Sequence, residues 1–85
     1  MSKLQKIIDK LLNLQQAFTF KELEYLLGKF GYVEKKTGKT SGSRKAYINE
    51  GTLHIIRLHK PHPGNEIKRY ARVYVISELK KQGLL

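Results

Sequence analysis

Two of the chain's three histidines, His59 and His62, lie close together around Lys60 and Pro61. Pro61 and Pro63 fix their own φ angles near about −65° and restrict the residues before them, so this segment is predicted to be stiff and extended. An imidazole exchanges protons near neutral pH, and a neighbouring cation stabilises negative charge that develops during a reaction. The spacing therefore predicts a site for acid–base chemistry at His59 and His62.

RNA is a suitable substrate for such a site because its 2′-hydroxyl supplies the nucleophile and no metal ion is needed. A metal site is not predicted, because the His59-x-x-His62 pair has no clear third ligand beyond Glu66 and the chain has no cysteine. No cofactor is predicted either. The alternative interpretation is that the two histidines cap the helix that follows. The residues alone do not distinguish catalysis from capping.

A second candidate site lies in the loop from Thr37 to Arg44, which contains no apolar residue. Gly42-Ser43-Arg44-Lys45 combines backbone N–H groups with two cations, which suits a phosphate, although a plain surface turn is equally consistent. Ser43 has no general base beside it in the sequence, so it is not predicted to be a nucleophile. The side chains predicted to contact RNA are Lys39, Ser43, Arg44, Lys45, Arg57 and Lys60.

Three tyrosines and the third histidine are further residues whose role can be predicted from the sequence. Tyr32, Tyr47 and Tyr70 lie near the basic segments and are candidates for stacking on bases, with packing at the edge of the core as the alternative. His54 lies within an apolar run and is predicted to be half-buried or on the solvent face of a strand.

The charge is the strongest compositional signal, with 17 basic against 7 acidic residues and a formal net charge of +10. Such a field attracts polyanions, of which nucleic acid is the commonest. An anionic membrane surface and a merely solubilising charge are the alternatives. The lack of cysteine excludes disulfides, and no signal peptide or membrane span is visible, so the cytoplasm is the predicted location.

Hydrophobic periodicity predicts the elements that position these residues. An amphipathic helix is expected over the first fifteen residues, with no clear stop signal. Thr19 and Glu22 form a predicted capping box for a second helix that ends near Gly31. Short strands are expected at 32–36, 46–48 and 53–58, and Asn65 is the predicted N-cap of a last helix. Its expected apolar face carries Ile67, Tyr70, Ala71, Tyr74, Val75 and Leu79.

This order predicts an α+β fold in one domain spanning residues 1–85, with a three-stranded antiparallel sheet and helices packed on one face. Residues 1–18 are expected to be an N-terminal helical addition.

The residues from about Phe20 to Leu85 resemble the HicA toxins of type II toxin–antitoxin systems. The similarity rests on Gly42-Ser43 followed by an alternating strand, and more specifically on His62-Pro63-Gly64-Asn65-Glu66-Ile67-Lys68 before an amphipathic helix. It implies a fold like a double-stranded-RNA-binding domain, cleavage of mRNA (mRNA interferase activity) and neutralisation by a HicB-like antitoxin. The oligomeric state is not implied.

One position departs from the family pattern. A catalytic histidine follows Gly-Ser closely in well-known members, whereas Arg44 and Lys45 occupy the matching positions here. The His62 position matches the family, and His59 does not carry over from it.

Three functions follow as hypotheses. The first is a metal-independent endoribonuclease toxin, in which His62, with His59, moves protons. The second is a non-catalytic RNA-binding module on the same fold. The third is a winged-helix-like DNA-binding protein, which the helix at Phe20 to Phe30 supports poorly because its only cations are Lys21 and Lys29.

Overall fold

The predicted order of elements is confirmed by the computed structural model, which describes residues 2–35, 44–61 and 64–85. The helices and strands of these ranges are α1 (Lys3–Leu12), α2 (Phe20–Lys29), β1 (Tyr32–Glu34), β2 (Arg44–Asn49), β3 (Ile55–His59) and α3 (Arg69–Lys81). The strands form an antiparallel sheet in the order β1-β2-β3.

The two faces of the sheet differ because side chains alternate along each strand. Tyr47, Ile56 and Leu58 are buried on the face that meets the helices, together with Tyr32 of β1. On the other face, Arg44 lies directly opposite His59, and Ala46 lies opposite Arg57. The α+β fold with helices on one face of the sheet, as expected of a double-stranded-RNA-binding-domain-like protein, is confirmed.

All three helices contribute to one hydrophobic core. The first helix buries Ile7 and Leu11, so the N-terminal segment is packed into the same core as the rest of the chain. The buried hydrophobic side chains are Ile7, Leu11, Phe18, Phe20, Leu23, Leu26, Leu27, Tyr32, Tyr47, Ile56, Leu58, Ile67, Val75 and Leu79.

The capping box predicted for α2 is present. The Thr19 hydroxyl accepts from the Glu22 N–H at 3.2 Å, and the Glu22 carboxylate accepts from the Thr19 N–H at 2.9 Å. Lys10 Nζ lies 2.8 Å from the same carboxylate and ties α1 to α2. Partial burial raises the pKa of the Glu22 carboxyl, but the hydrogen bonds from Lys10 and Thr19 outweigh this and leave the pKa below its usual value.

The first helix ends at Leu12, earlier than the predicted fifteen residues, because a buried arginine from α3 binds its last carbonyls. The Arg72 guanidinium donates to the carbonyl oxygens of Lys10 and Leu11, each at 2.8 Å, and to that of Asn13 at 3.0 Å. It also donates to the carbonyl of Gln16. The carbonyls of Lys10 and Leu11 are among the unpaired acceptors that every helix end leaves, and those of Asn13 and Gln16 belong to the turn that follows.

The last helix begins at Arg69, so the prediction that Asn65 caps it is wrong. Lys68 holds the N-cap position and makes no side-chain cap. The chain before it is instead paired with the segment before α2, through a bridge between Thr19 and Glu66. Phe20 N donates to Asn65 O at 2.7 Å, and Ile67 N donates to Phe18 O at 2.8 Å. This pairing holds residues 65–67 extended and delays the helix.

Within the described residues, no helix has the length and apolarity needed to cross a membrane.

Candidate nucleic-acid interface

Strand β3 lies at an edge of the sheet and faces the N-terminal half of α3. Asn49 N donates to His54 O at 2.9 Å, and this register turns the N–H groups of Arg57 and His59 away from β2. The outward N–H of Arg57 donates to the hydroxyl of Tyr74 at 3.4 Å. A tyrosine of α3 therefore lies across the free edge of β3.

A cleft follows this edge between β3 and α3. One part of it has a volume of about 290 Å³ and is lined by Arg57, His59, Tyr70 and Tyr74, among others. The adjoining part, of about 210 Å³, also contains His59 and Tyr70 and continues to Lys60 and Lys68. We call this surface the β3–α3 cleft. It brings an imidazole, two phenol rings and three cations to one place.

The expectation that Tyr70 and Tyr74 belong to the buried face of α3 is wrong. Tyr70 is 70% exposed and Tyr74 is 37% exposed, whereas Val75 and Leu79 are fully buried. The two tyrosines are four residues apart and therefore share one face of the helix, which points into the cleft. An exposed aromatic ring beside cations is suited to stacking on a nucleic-acid base.

The other two tyrosines proposed for stacking take the alternative, packing role. Tyr32 and Tyr47 are 3% and 4% exposed. The Tyr47 hydroxyl donates to Glu24 Oε2 at 2.7 Å, and burial together with this carboxylate strongly raises the pKa of Tyr47. Neither ring is accessible to a base.

The electrostatic field at the cleft is positive. Arg57, Lys60 and Lys68 are exposed at its rim, and no acidic residue occupies the first turn of α3. The N-terminus of α3 adds the positive end of its dipole close to Tyr70. Arg44 contributes from β2, where it forms a non-hydrogen-bonded pair with His59, a geometry that brings side chains close together.

The structure separates Lys45 from this group. Its side chain is on the helix-facing side of the sheet, where Nζ lies 3.0 Å from Glu34 Oε2. Three other predicted site residues, His62, Lys39 and Ser43, lie outside the described residues. His59, Arg44, Arg57 and Lys60 are thus the predicted residues that the described structure brings together.

The third histidine, His54, lies immediately before β3, at the end of the strand away from His59. As predicted, it is half-buried. Its Nε2 is 2.9 Å from Glu78 Oε1, and its Nδ1 is 2.6 Å from the Tyr32 hydroxyl. Hydrogen bonds from His54 and Lys81 lower the pKa of the Glu78 carboxyl. This cluster joins β3 to the end of α3 and does not contact the cleft.

Among the described residues, no group of three or more His, Asp or Glu side chains is placed to hold a metal ion.

Sequence reasoning missed two residues of the cleft, Tyr74 and Lys68. A signal was present in the sequence. Tyr70 and Tyr74 are about one helical turn apart, and the basic pair Lys68 and Arg69 comes directly before Tyr70. That signal resembles an apolar helix face, and the burial of Arg72 together with Val75 and Leu79 shows which face is turned inward.

In a comparison with known protein families, residues 20–83 match the family described as HicA toxin of bacterial toxin-antitoxin. No curated protein and no solved structure matches the chain significantly. The matched range spans most of the chain and includes both elements that form the cleft. The chain therefore belongs to the HicA toxin family of bacterial toxin–antitoxin systems.

Proposed function

We propose that this toxin binds mRNA in the β3–α3 cleft and cleaves it without a metal ion. The observation that carries the proposal is that His59 lines the same cleft as the Tyr70 ring and the cations Arg57 and Lys60. An exposed ring holds a base, cations hold phosphate, and an imidazole at the same place is available for proton transfer.

The reaction requires two proton transfers. One imidazole of the pair His59 and His62 accepts the proton of the 2′-hydroxyl, whose oxygen attacks the adjacent phosphorus. The bond from phosphorus to the 5′ oxygen breaks, and the second imidazole, protonated, gives its proton to that leaving oxygen. Arg57 and Lys60 stabilise the extra negative charge on the phosphate oxygens in the transition state.

The family supplies the biological setting of the proposal. A toxin of this kind has an antitoxin partner. We propose that the partner is a HicB-like protein and that both act in the cytoplasm, where mRNA is found. The family match favours this role over the winged-helix-like DNA-binding alternative.

Incubation of purified protein with RNA in excess EDTA tests the proposal. Cleavage is expected to persist with the chelator, and His62→Ala or His59→Ala is expected to slow it by about 10²- to 10⁴-fold. Tyr70→Ala is expected to weaken RNA binding. His54→Gln is the matched control, because it removes an imidazole outside the cleft.

A second candidate, the non-catalytic RNA-binding module, is favoured by Arg44 and Lys45 at the positions where the family pattern has a histidine. It predicts intact RNA that is retarded in a gel and is released by Tyr70→Ala. Cleavage that requires a metal ion, or that is unchanged in both histidine variants, would contradict the catalytic proposal.

A further inference from the structure

A second concave surface lies on the other side of α3. It is formed by the end of α1 and the turn after it, with Leu12 and Leu14, and by Val73 and Ile76 of α3. Leu12 is 45% exposed and Val73 is 48% exposed. Lys80 and Lys81 stand at its rim. We call it the α1–α3 groove.

The groove is separate from the β3–α3 cleft because the two use different faces of one helix. At about 100° per residue, Val73, Ile76 and Lys80 fall on one stripe, and Tyr70 and Tyr74 fall on another roughly 100° away. The buried residues Val75 and Leu79 occupy the third direction, toward the core. One side of α3 therefore lines the β3–α3 cleft, and another side lines the α1–α3 groove.

Part of the groove comes from a segment outside the family match. Leu12 and Leu14 precede residue 20, at which the matched range begins, whereas Val73 and Lys80 fall within it. The buried Arg72 binds the carbonyls of Lys10 and Leu11, which fixes the end of α1 against α3. The groove is therefore part of the folded structure of this chain, and α1 supplies one of its walls in a fixed position.

We propose that the α1–α3 groove binds an acidic amphipathic helix of the antitoxin, a proposal that rests on the proposed function as a toxin. Val73 and Ile76, three residues apart on α3, and the exposed Leu12 at the end of α1 are suited to the apolar face of a helix laid between α1 and α3. Lys80 is exposed at the rim beside Lys81, whose ammonium also lies 3.3 Å from Glu78 Oε2, and this local charge favours a helix whose polar face carries carboxylates.

Charge disfavours a second copy of this chain as the occupant. The protein carries a net charge of +10, and two copies meeting at this groove would bring Lys80 and Lys81 of each into proximity. Like charges held close together oppose association. An acidic protein removes this repulsion and adds attraction, which favours a partner over self-association.

Binding of the purified, tagged antitoxin of this toxin to the full-length protein tests the proposal. Val73→Glu and Lys80→Glu are each expected to weaken the affinity for the antitoxin by about tenfold or more. Leu12→Ser is a milder change that serves as a second test in case Val73→Glu perturbs folding. It is also expected to weaken the affinity for the antitoxin. Lys21→Glu, on the exposed side of α2, is the control for the change in charge, and circular dichroism checks the fold.

The same variants are assayed for RNA binding, so that the two proposals can fail separately. RNA affinity is expected to be unchanged in Val73→Glu. Unchanged antitoxin affinity in every groove variant would overturn the groove proposal and leave the proposed function intact. Weakened RNA binding with normal antitoxin affinity would assign the groove to RNA. Self-association of the free protein that Val73→Glu abolishes would assign it to a second copy, and either result overturns the proposal.

Discussion

At the scale of single residues, the contact between His54 and Glu78 is the clearest case in which ionisation and fold are linked. Glu78 accepts from His54 Nε2 at 2.9 Å and from Lys81 Nζ at 3.3 Å. These hydrogen bonds favour the ionised carboxylate, so the pKa of Glu78 in the folded protein lies below its ordinary value. The contact therefore stabilises the fold only while the carboxylate is ionised.

Acid is expected to remove this contribution. Because the pKa of Glu78 is lower in the folded than in the unfolded protein, the stabilisation is fully present above the unfolded value and is lost as the pH falls through the folded value. Glu78→Gln is therefore expected to be less stable than wild type at neutral pH and to lose less stability between about pH 5 and pH 3. Urea unfolding across that range measures the difference.

Glu50→Gln is the matched control, since Glu50 is exposed in the turn between β2 and β3. Its pH dependence is expected to follow that of wild type. If the stability of Glu78→Gln falls with pH as steeply as that of wild type, the contact with His54 does not contribute to acid sensitivity.

At the scale of elements, two glycines near the end of α2 have opposite roles. Gly31 has a φ of 91°, a conformation that residues with a Cβ rarely adopt. Gly28 lies inside the helix, and an added Cβ there would meet no atom within 4 Å.

Alanine substitutions at these glycines are expected to have opposite signs. Gly31→Ala should lower the free energy of unfolding by about 1 kcal/mol because of backbone strain. Gly28→Ala should raise it by about 0.5 to 1 kcal/mol because alanine is the better helix former. Chemical denaturation of both variants against wild type measures the changes. A stabilising Gly31→Ala would show that the chain after α2 relaxes out of the left-handed conformation.

The helix ends also show which structural features could be predicted from local sequence. The α2 helix was predicted with its capping box because Thr19 and Glu22 satisfy each other within one turn. The start of α3 was misplaced because residues 65–67 pair with the chain around Thr19, and no local signal encodes that pairing. The end of α1 had no local signal either, since Arg72 supplies its partner from a distant helix.

For the candidate site, the sequence pointed to the cations and the imidazole but not to the position of the tyrosines. His59, Arg57 and Lys60 were recognised from residue type, because exposed cations and an imidazole on an extended segment are visible in the sequence. The role of Tyr70 was open, and Tyr74 was assigned to the core. Their exposure depends on the rotation of α3 about its axis, which places Arg72, Val75 and Leu79 toward the core.

At the scale of the whole molecule, Arg72 connects the N-terminal helix to the segment matched by the family. Its guanidinium is buried, with a relative exposure of 4%, and lies 5.4 Å from the ring of Phe18. Burial lowers the pKa of Arg72, although the group stays protonated because arginine titrates far above neutral pH.

Removal of this side chain is expected to destabilise the whole protein. Arg72→Ala leaves several carbonyls at the end of α1 without their donor and should lower the free energy of unfolding by about 2 to 4 kcal/mol. Arg72→Lys should recover only part of the loss, since one ammonium cannot reproduce the planar fork. Urea denaturation measures the stability, and hydrogen exchange of the α1 amides locates the change.

Arg69→Ala, at an exposed position three residues earlier, provides the comparison and is expected to lie within about 0.5 kcal/mol of wild type. Arg72→Ala with a stability like that of Arg69→Ala would mean that water replaces the guanidinium at the carbonyls.

The position of Arg72 also has a consequence during translation. The carbonyls that it binds lie 56 to 62 residues earlier in the chain, so α1 is synthesised well before its partner. A helix of this length is marginal by itself in water. The nascent α1 is therefore left without its closing contact until α3 emerges from the ribosome. A truncated translation product that lacks α3 has neither a fixed N-terminal helix nor the tyrosine side of the β3–α3 cleft.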